Sequence, residues 1–183
     1  ATLNTDGTVN ITESNATGTT VTQTSIRTDG TEVTLETSYA ADVVLSNGTI
    51  ANGQNPESIT VTETASDGIQ TETTFAVSAE ITLTGTGTVQ TIDGATPTAM
   101  GMITTSSDGT TVTTTSYDES GNATGTTVAT TVGDTVTTTS YDKDATLNTD
   151  GTVNITESNA TGTTVTQTSI RTDGTEVTLE TSY

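Results

Sequence analysis

Residues 1–39 read ATLNTDGTVNITESNATGTTVTQTSIRTDGTEVTLETSY, and the same 39 letters return unchanged at residues 145–183. The offset is 144 residues, so the chain reads as one full repeat unit, residues 1–144, and then the first part of the next, residues 145–183. Within the repeated stretch, TEVTLETSY (31–39) places Val33, Leu35, Thr37 and Tyr39 on one face of an extended segment. Glu32, Thr34, Glu36 and Ser38 take the other face. Alternation with a period of two is the mark of a half-buried strand. Asp29-Gly30 stands just before it, and Asp-Gly between alternating segments predicts a hairpin with a two-residue type I′ turn. Seven such Asp-Gly pairs punctuate the chain, the first at Asp6-Gly7 and the last at Asp173-Gly174.

Composition supports the same reading. Threonine supplies 56 of the 183 residues, while apolar residues make up only 28%, with one Phe and no Trp. β-Branched Thr and Val favour a pleated, half-buried surface and disfavour helix. No stretch carries the three-and-four apolar spacing of a helix. The expectation is therefore an all-β chain with a thin core. A piece of 39 residues is too small to bury enough apolar surface alone. The second copy should be completed by further chain beyond it or by a neighbouring molecule.

Smaller motifs repeat inside the unit. NATGTTV occurs at residues 15–21, 122–128 and 159–165, and Thr-Ser-Tyr ends at Tyr39, Tyr117, Tyr141 and Tyr183. Successive Thr-Ser-Tyr endings lie 78, 24 and 42 residues apart. The alternative fold, a β-solenoid, stacks rungs of near-constant length and needs a fixed step. Antiparallel hairpins tolerate unequal steps, so the preferred fold is an antiparallel β-sandwich of Ig-like type or a long meander built from hairpins. Strand-like runs number roughly ten or eleven per unit. The middle segment, residues 40–107, holds both prolines, both methionines and the only Phe. There Phe75, Val77, Ala79, Ile81 and Leu83 alternate on one face, which predicts a main core strand with Ile59 and Val61 opposite. Residues 46–57, SNGTIANGQNPE, read as a loop.

The formal charge is −20, with only Arg27, Lys143 and Arg171 on the basic side. That excludes a phosphate-binding surface, hence nucleic acid, and favours a self-repelling, solvated array. With no His and no Cys, the usual general base and thiol nucleophile are missing. The Ser and Thr hydroxyls have no activating partner in the sequence, and the acids alternate with Thr or sit in turns. The reading is that the chain is not an enzyme. No apolar run approaches a membrane span and no leader is present, so a secreted parent would carry its leader outside these residues. The absence of Cys favours a prokaryotic exterior, extracellular or at the cell surface.

Two kinds of site remain. At the unit junction, Asp142, Asp144, Asn148 and Asp150 form a candidate calcium set, since Ca²⁺ takes six to eight oxygens. The plainer reading is an acidic hairpin loop. The loop 46–57 and the four tyrosines are the candidates for gripping a surface glycan, with strand-end packing the plainer role for the tyrosines. Asn-x-Thr sequons at Asn10, Asn15, Asn47, Asn122, Asn154 and Asn159 matter only where asparagine is glycosylated. Lys143 lies between two aspartates, a poor setting for an isopeptide bond, and the unequal steps argue against a flat ice-binding threonine array.

The run Tyr117-Asp118-Glu119-Ser120-Gly121-Asn122 resembles the YD repeats of Rhs-type and insecticidal-toxin shells, although Tyr141-Asp142 lacks the glycine and the Tyr39 copy lacks the Asp. More broadly, the acidic, Cys-free, Thr/Gly/Val-rich tandem units are similar to the repeat regions of giant bacterial adhesins and biofilm-matrix fibre proteins. That resemblance implies extracellular β-domains in series, Ig-like and calcium-bound at their junctions. The function expected is a structural repeat unit of an extracellular fibre or adhesin stalk, with itself as partner and with strands shared between units or chains. The alternative is a glycan- or surface-binding adhesin module stiffened by calcium.

Overall fold

The computed structural model describes residues 1–46, 49–51, 53–78, 80–141, 145–147, 153–159, 162–170 and 176–182. Strands are the only long regular elements among them. The chain packs as two compact units, residues 1–66 with 72–99 and residues 67–71 with 100–183.

The strands run β1 (Thr2–Leu3), β2 (Val9–Asn15), β3 (Gly18–Ile26), β4 (Glu32–Tyr39), β5 (Leu45–Ser46), β6 (Thr49–Ile50), β7 (Ser58–Thr64), β8 (Gln70–Phe75), β9 (Ile81–Leu83) and β10 (Val89–Thr91). The series continues with β11 (Ala99–Thr105), β12 (Thr111–Tyr117), β13 (Ala123–Val132), β14 (Thr135–Tyr141), β15 (Ala145–Leu147), β16 (Val153–Asn159), β17 (Gly162–Ile170) and β18 (Glu176–Ser182). Ten of them form one sheet in the order β1-β2-β3-β4-β7-β8-β11-β12-β13-β14, each strand pairing with the next in that order. Its ladders are antiparallel. Of the two forms anticipated, this order is that of the meander. Among the described residues up to 141 there are fourteen strands, more than the runs counted in the sequence, because β1, β5, β6, β9 and β10 are only two or three residues long. One such pair, β5–β6, folds part of the expected loop 46–57 into a small hairpin, Leu45 facing Ile50.

The Asp-Gly loops at Asp6, Asp29 and Asp93 differ from the expected two-residue type I′ turn. At Arg27-Thr28-Asp29-Gly30-Thr31, the Gly30 N–H donates to the Arg27 carbonyl at 3.0 Å, and the Arg27 N–H donates to the Thr31 carbonyl at 2.8 Å. The turn is therefore centred on Thr28-Asp29, with Gly30 as a third loop residue at φ 88°. This is the three-residue loop closed by a left-handed glycine. The same bonds recur at residues 4–8, 84–88, 91–95 and 118–122. What these loops share is a glycine with positive φ at the fourth position, Gly7, Gly30, Gly87, Gly94 and Gly121, and an aspartate at the third adds a further bond where it is present. From the third position its carboxylate accepts the backbone N–H two residues on, as Asp6 does from Thr8 (3.0 Å), Asp29 from Thr31 (2.9 Å) and Asp108 from Thr110 (3.0 Å).

In the first unit β4 behaves as its alternation requires: Val33 and Leu35 are buried and Glu32 and Glu36 exposed. Its ladder partner β7 sets Val61 against Leu35 and Ile59 against Thr37. The expected nine-residue core strand does not form. β8 stops at Phe75, a turn intervenes, and the chain resumes as β9 at Ile81, so the apolar row splits between two layers. Ala79 lies outside the described residues. β9 pairs with β10 in a separate two-stranded sheet, and its Ile81 and Leu83 pack onto Val33, Leu35, Ile59 and Val61. Phe75 and Val89 flank this cluster.

In the second unit the buried face is threonine. Register places Thr111, Thr113 and Thr115 opposite Thr130, Val128 and Thr126, and all six are buried, whereas Val112 is on the other face. The Thr115 and Thr126 hydroxyls are 3.0 Å apart, and the Thr113 hydroxyl is buried with no hydrogen-bond partner. The repeat is faithful at the level of the ladder. β15–β18 form a sheet in that order. There Gln167 pairs with Asn154 on one side and Leu179 on the other, as Gln23 pairs with Asn10 and Leu35 at an offset of 144.

The buried threonines respond to substitution in opposite senses. Thr113→Val deletes an unsatisfied buried hydroxyl at equal size and should raise stability by about 1 kcal/mol, whereas Thr115→Val strands the Thr126 hydroxyl and should lower it by about 1 kcal/mol, both read from urea midpoints. The loop carboxyls also set an acid limit. Asp108 is pulled down to about 2 by the Ser106 hydroxyl, then by the N–H and hydroxyl of Thr110. Asp6 and Asp29 are lowered chiefly by the N–H groups of Thr8 and Thr31. A carboxyl depressed in the folded chain stabilises it above the unfolded value of about 4, and the effect is lost as pH falls through the folded value. Melting temperature should therefore drop below about pH 4, and the curves of the native chain and Asp108→Asn should converge near pH 2.

Candidate functional site

The junction set Asp142, Asp144, Asn148 and Asp150 lies outside the described residues. Among the described residues no group of three or more acidic, His or Cys side chains is arranged to hold a metal ion. No helix among them is long and apolar enough to cross a membrane.

The most developed polar arrangement in the first unit ties the repeated strands to the β9–β10 hairpin. Side chains on β3 alternate, and Gln23 and Ser25 share the face that meets β9. The Leu83 N–H donates to Gln23 Oε1 at 3.1 Å, and Ser25 Oγ donates to the Gly85 carbonyl at 3.0 Å. Just past the end of β3, Arg27 Nε donates to the Gly87 carbonyl at 3.0 Å while its Nη1 reaches Glu63 Oε2 at 3.0 Å and its Nη2 binds Glu63 Oε1. This two-toothed ion pair is about two-thirds buried at each end, and it raises the guanidinium pKa, the Glu63 hydrogen bonds being the main cause. Gly85 is required by space, since a Cβ there would fall 1.9 Å from the Asp6 carbonyl oxygen.

Beside this clamp an open cleft of about 860 Å³ lies among β1, Ile50, Ala51, the residues 53–56, and Val77, Ser78 and Glu80 to Thr82. Its polar lining includes Asn4, Asn10, Gln23, Tyr39, Gln54, Asn55 and Glu80, and its apolar lining Ile50, Pro56, Val77 and Ile92. Asn10 sits on β2 directly across from Gln23, and its side-chain oxygen is buried without a hydrogen-bond partner. The Tyr39 phenol, at the end of β4, is pushed up by partial burial and then by the negative charge of Glu80. Amides, one phenol and one carboxylate make a hydrogen-bonding surface for neutral polar groups. They contain no activated nucleophile.

The sequence marked the loop 46–57 and the tyrosines, and the structure brings Ile50, Ala51, Gly53, Gln54, Asn55, Pro56 and Tyr39 to this one cleft. Tyr117 and Tyr141 end β12 and β14 in the second unit instead. Sequence reasoning missed Gln23 and Glu80 and singled out Asn10 only as a sequon. Asn10 and Gln23 were legible only through the β2–β3 register, which makes them neighbours. Two sequon asparagines serve the loops: Asn15 Oδ1 accepts the Thr17 N–H at 2.8 Å, and Asn122 Nδ2 donates to Asp118 Oδ2 at 3.1 Å. No family model, curated protein or solved structure matches the chain.

Proposed function

We propose that the chain is a structural repeat unit of an extracellular fibre or adhesin stalk, acting through the series of its β units and assembling by strands shared between units or chains. The observation that carries this reading is the recurrence of one ladder. Residues 1–39 and 145–183 are identical, and strands β15–β18 repeat the register of β1–β4. A chain built this way gains length by adding units, since each copy organises its own sheet from the same local signals. The net charge of −20 supports the same role, because it keeps neighbouring fibres apart in solution. Exposed strand edges supply the means of assembly.

A second reading is favoured by the cleft: a binding module for a neutral surface glycan. Tyr39 offers a ring face, and the unpartnered Asn10 oxygen is an acceptor awaiting a hydroxyl donor.

Electron microscopy of the purified chain, with and without a calcium chelator, separates the two. Filaments that lengthen with protein concentration are expected. Compact single particles at every concentration would overturn the fibre reading. If the glycan reading holds instead, a glycan array will show binding that Tyr39→Ala reduces at least about tenfold, the loss of roughly 1.4 kcal/mol.

A further inference from the structure

The cleft of the first unit runs over three strands. Asn10 faces Gln23 across the β2–β3 ladder, and Tyr39 faces Thr19 across the β3–β4 ladder. With strands about 4.8 Å apart and a rise of about 3.3 Å per residue, this register sets the Asn10 and Tyr39 Cα atoms roughly 16 Å apart. Between them a row of one residue from each strand, Thr12, Val21 and Thr37, also lines the cleft. Such a trough suits an extended chain lying on the sheet better than one compact ring.

Its two ends differ in charge. The β2 end offers amides, and the buried Asn10 oxygen there has no partner. At the β4 end Tyr39 stands near Glu80, close enough for the carboxylate to act on the phenol. Glu80 is fixed where the β9–β10 hairpin begins, because its carbonyl accepts the Ile92 N–H at 3.2 Å. Among the described residues the one ion pair joins Arg27 to Glu63, so Glu80 has no cationic partner there. Thr37, Tyr39, Pro56, Ile59 and Glu80, which build this end, are all internal to the chain. An ammonium group satisfies both of its chemical features. It donates charge-assisted hydrogen bonds to the carboxylate and is attracted to the face of the phenol ring. A hydroxyl can donate to the carboxylate but has no charge to offer the ring. The net charge of −20 adds a field that draws cations.

We infer that the cleft holds a linear amino-sugar chain, with a protonated amine seated between Glu80 and Tyr39 and ring hydroxyls reaching the amides at the Asn10 end. This rests on the glycan reading of the cleft and alters what that reading expects, since the sugar at the Tyr39 end carries a positive charge.

Calorimetry of the full chain with a glucosamine tetramer, and with the same tetramer fully N-acetylated, tests this. The amino tetramer should bind one per chain and about tenfold more tightly than the acetylated one at low salt, and the gap should narrow as salt rises. Free glucosamine, which reaches only one end of the trough, should bind more weakly than the tetramer. Glu80→Gln should bring the amino tetramer down to the level of the acetylated one and leave the acetylated one unchanged. Glu13, exposed on the opposite face of β2 from Asn10, supplies the control. Glu13→Gln removes the same charge and should leave both tetramers as they were. An equal loss in the two variants would mean diffuse attraction of a polycation only and overturns the proposal. Equal binding of the two tetramers also overturns it, while the glycan reading stands. If neither tetramer binds, the amino-sugar proposal fails, and the glycan array decides the wider reading on its own.

Discussion

Burial of Val33 and Leu35 beneath Ile81 and Leu83 is the contact on which the first unit depends. A chain with so little apolar surface cannot spread its core over ten strands. It gathers six aliphatic side chains at one point and closes them with a short hairpin laid over the sheet. Fully burying each such side chain contributes on the order of 1.5–3 kcal/mol, so this cluster outweighs any single loop or edge contact. The hairpin that supplies the cover has only three residues in each strand and would not hold its place unaided. The hydrogen bonds from Ser25 and Arg27, the one accepted by Gln23, and the ion pair to Glu63 fix it over the aliphatic residues.

The second unit solves the same problem with different material. Its buried face on β12 and β13 is a patch of threonines around Val128. Threonine methyls pack much as valine does, but every buried hydroxyl needs a partner. Thr115 and Thr126 satisfy each other, and Thr113 does not find one. Stability there is limited by hydrogen-bond accounting more than by apolar area.

Much of this was legible from the letters alone. Alternation in residues 31–39 identified β4 and its buried face, and each described Thr-Ser-Tyr does end a strand, at Tyr39, Tyr117 and Tyr141. The unequal steps between those endings favoured hairpins over stacked rungs. What was not legible depended on partners distant in sequence. The row from Phe75 to Leu83 looked continuous, yet the sheet and its cover claim different ends of it. In β12 the alternation of Val112 with threonine did not reveal that the threonine side faces inward, because size and branching are alike and only the register decides. NATGTTV makes the limit plain. At residues 15–21 its Ala16 and Thr17 form a two-residue loop, with Asn15 paired to Gly18. At residues 122–128 the loop is already complete at Asn122, and Ala123 and Thr124 run on as strand. The preceding residues decide: Asp118 to Gly121 turn the chain before the motif begins. Of the cleft, the loop and Tyr39 were visible as types of residue, while Asn10, Gln23 and Glu80 needed three-dimensional neighbours.

The loops also bear on how such a chain ages. Asp-Gly bonds are weak points of long-lived proteins, because the glycine nitrogen attacks the aspartyl carboxyl carbon and the backbone isomerises through a cyclic imide. Here the nitrogens of Gly7, Gly30, Gly94 and Gly109 are already donating to the carbonyls of Asn4, Arg27, Thr91 and Ser106. The matching carboxyls, Asp6, Asp29, Asp93 and Asp108, are held ionised by their own hydrogen bonds and are poor electrophiles. The geometry that closes these four loops thus shields their most perishable bond. A fibre of the kind proposed, once laid down beyond repair or replacement, would keep its backbone intact for as long as those loops stay shut.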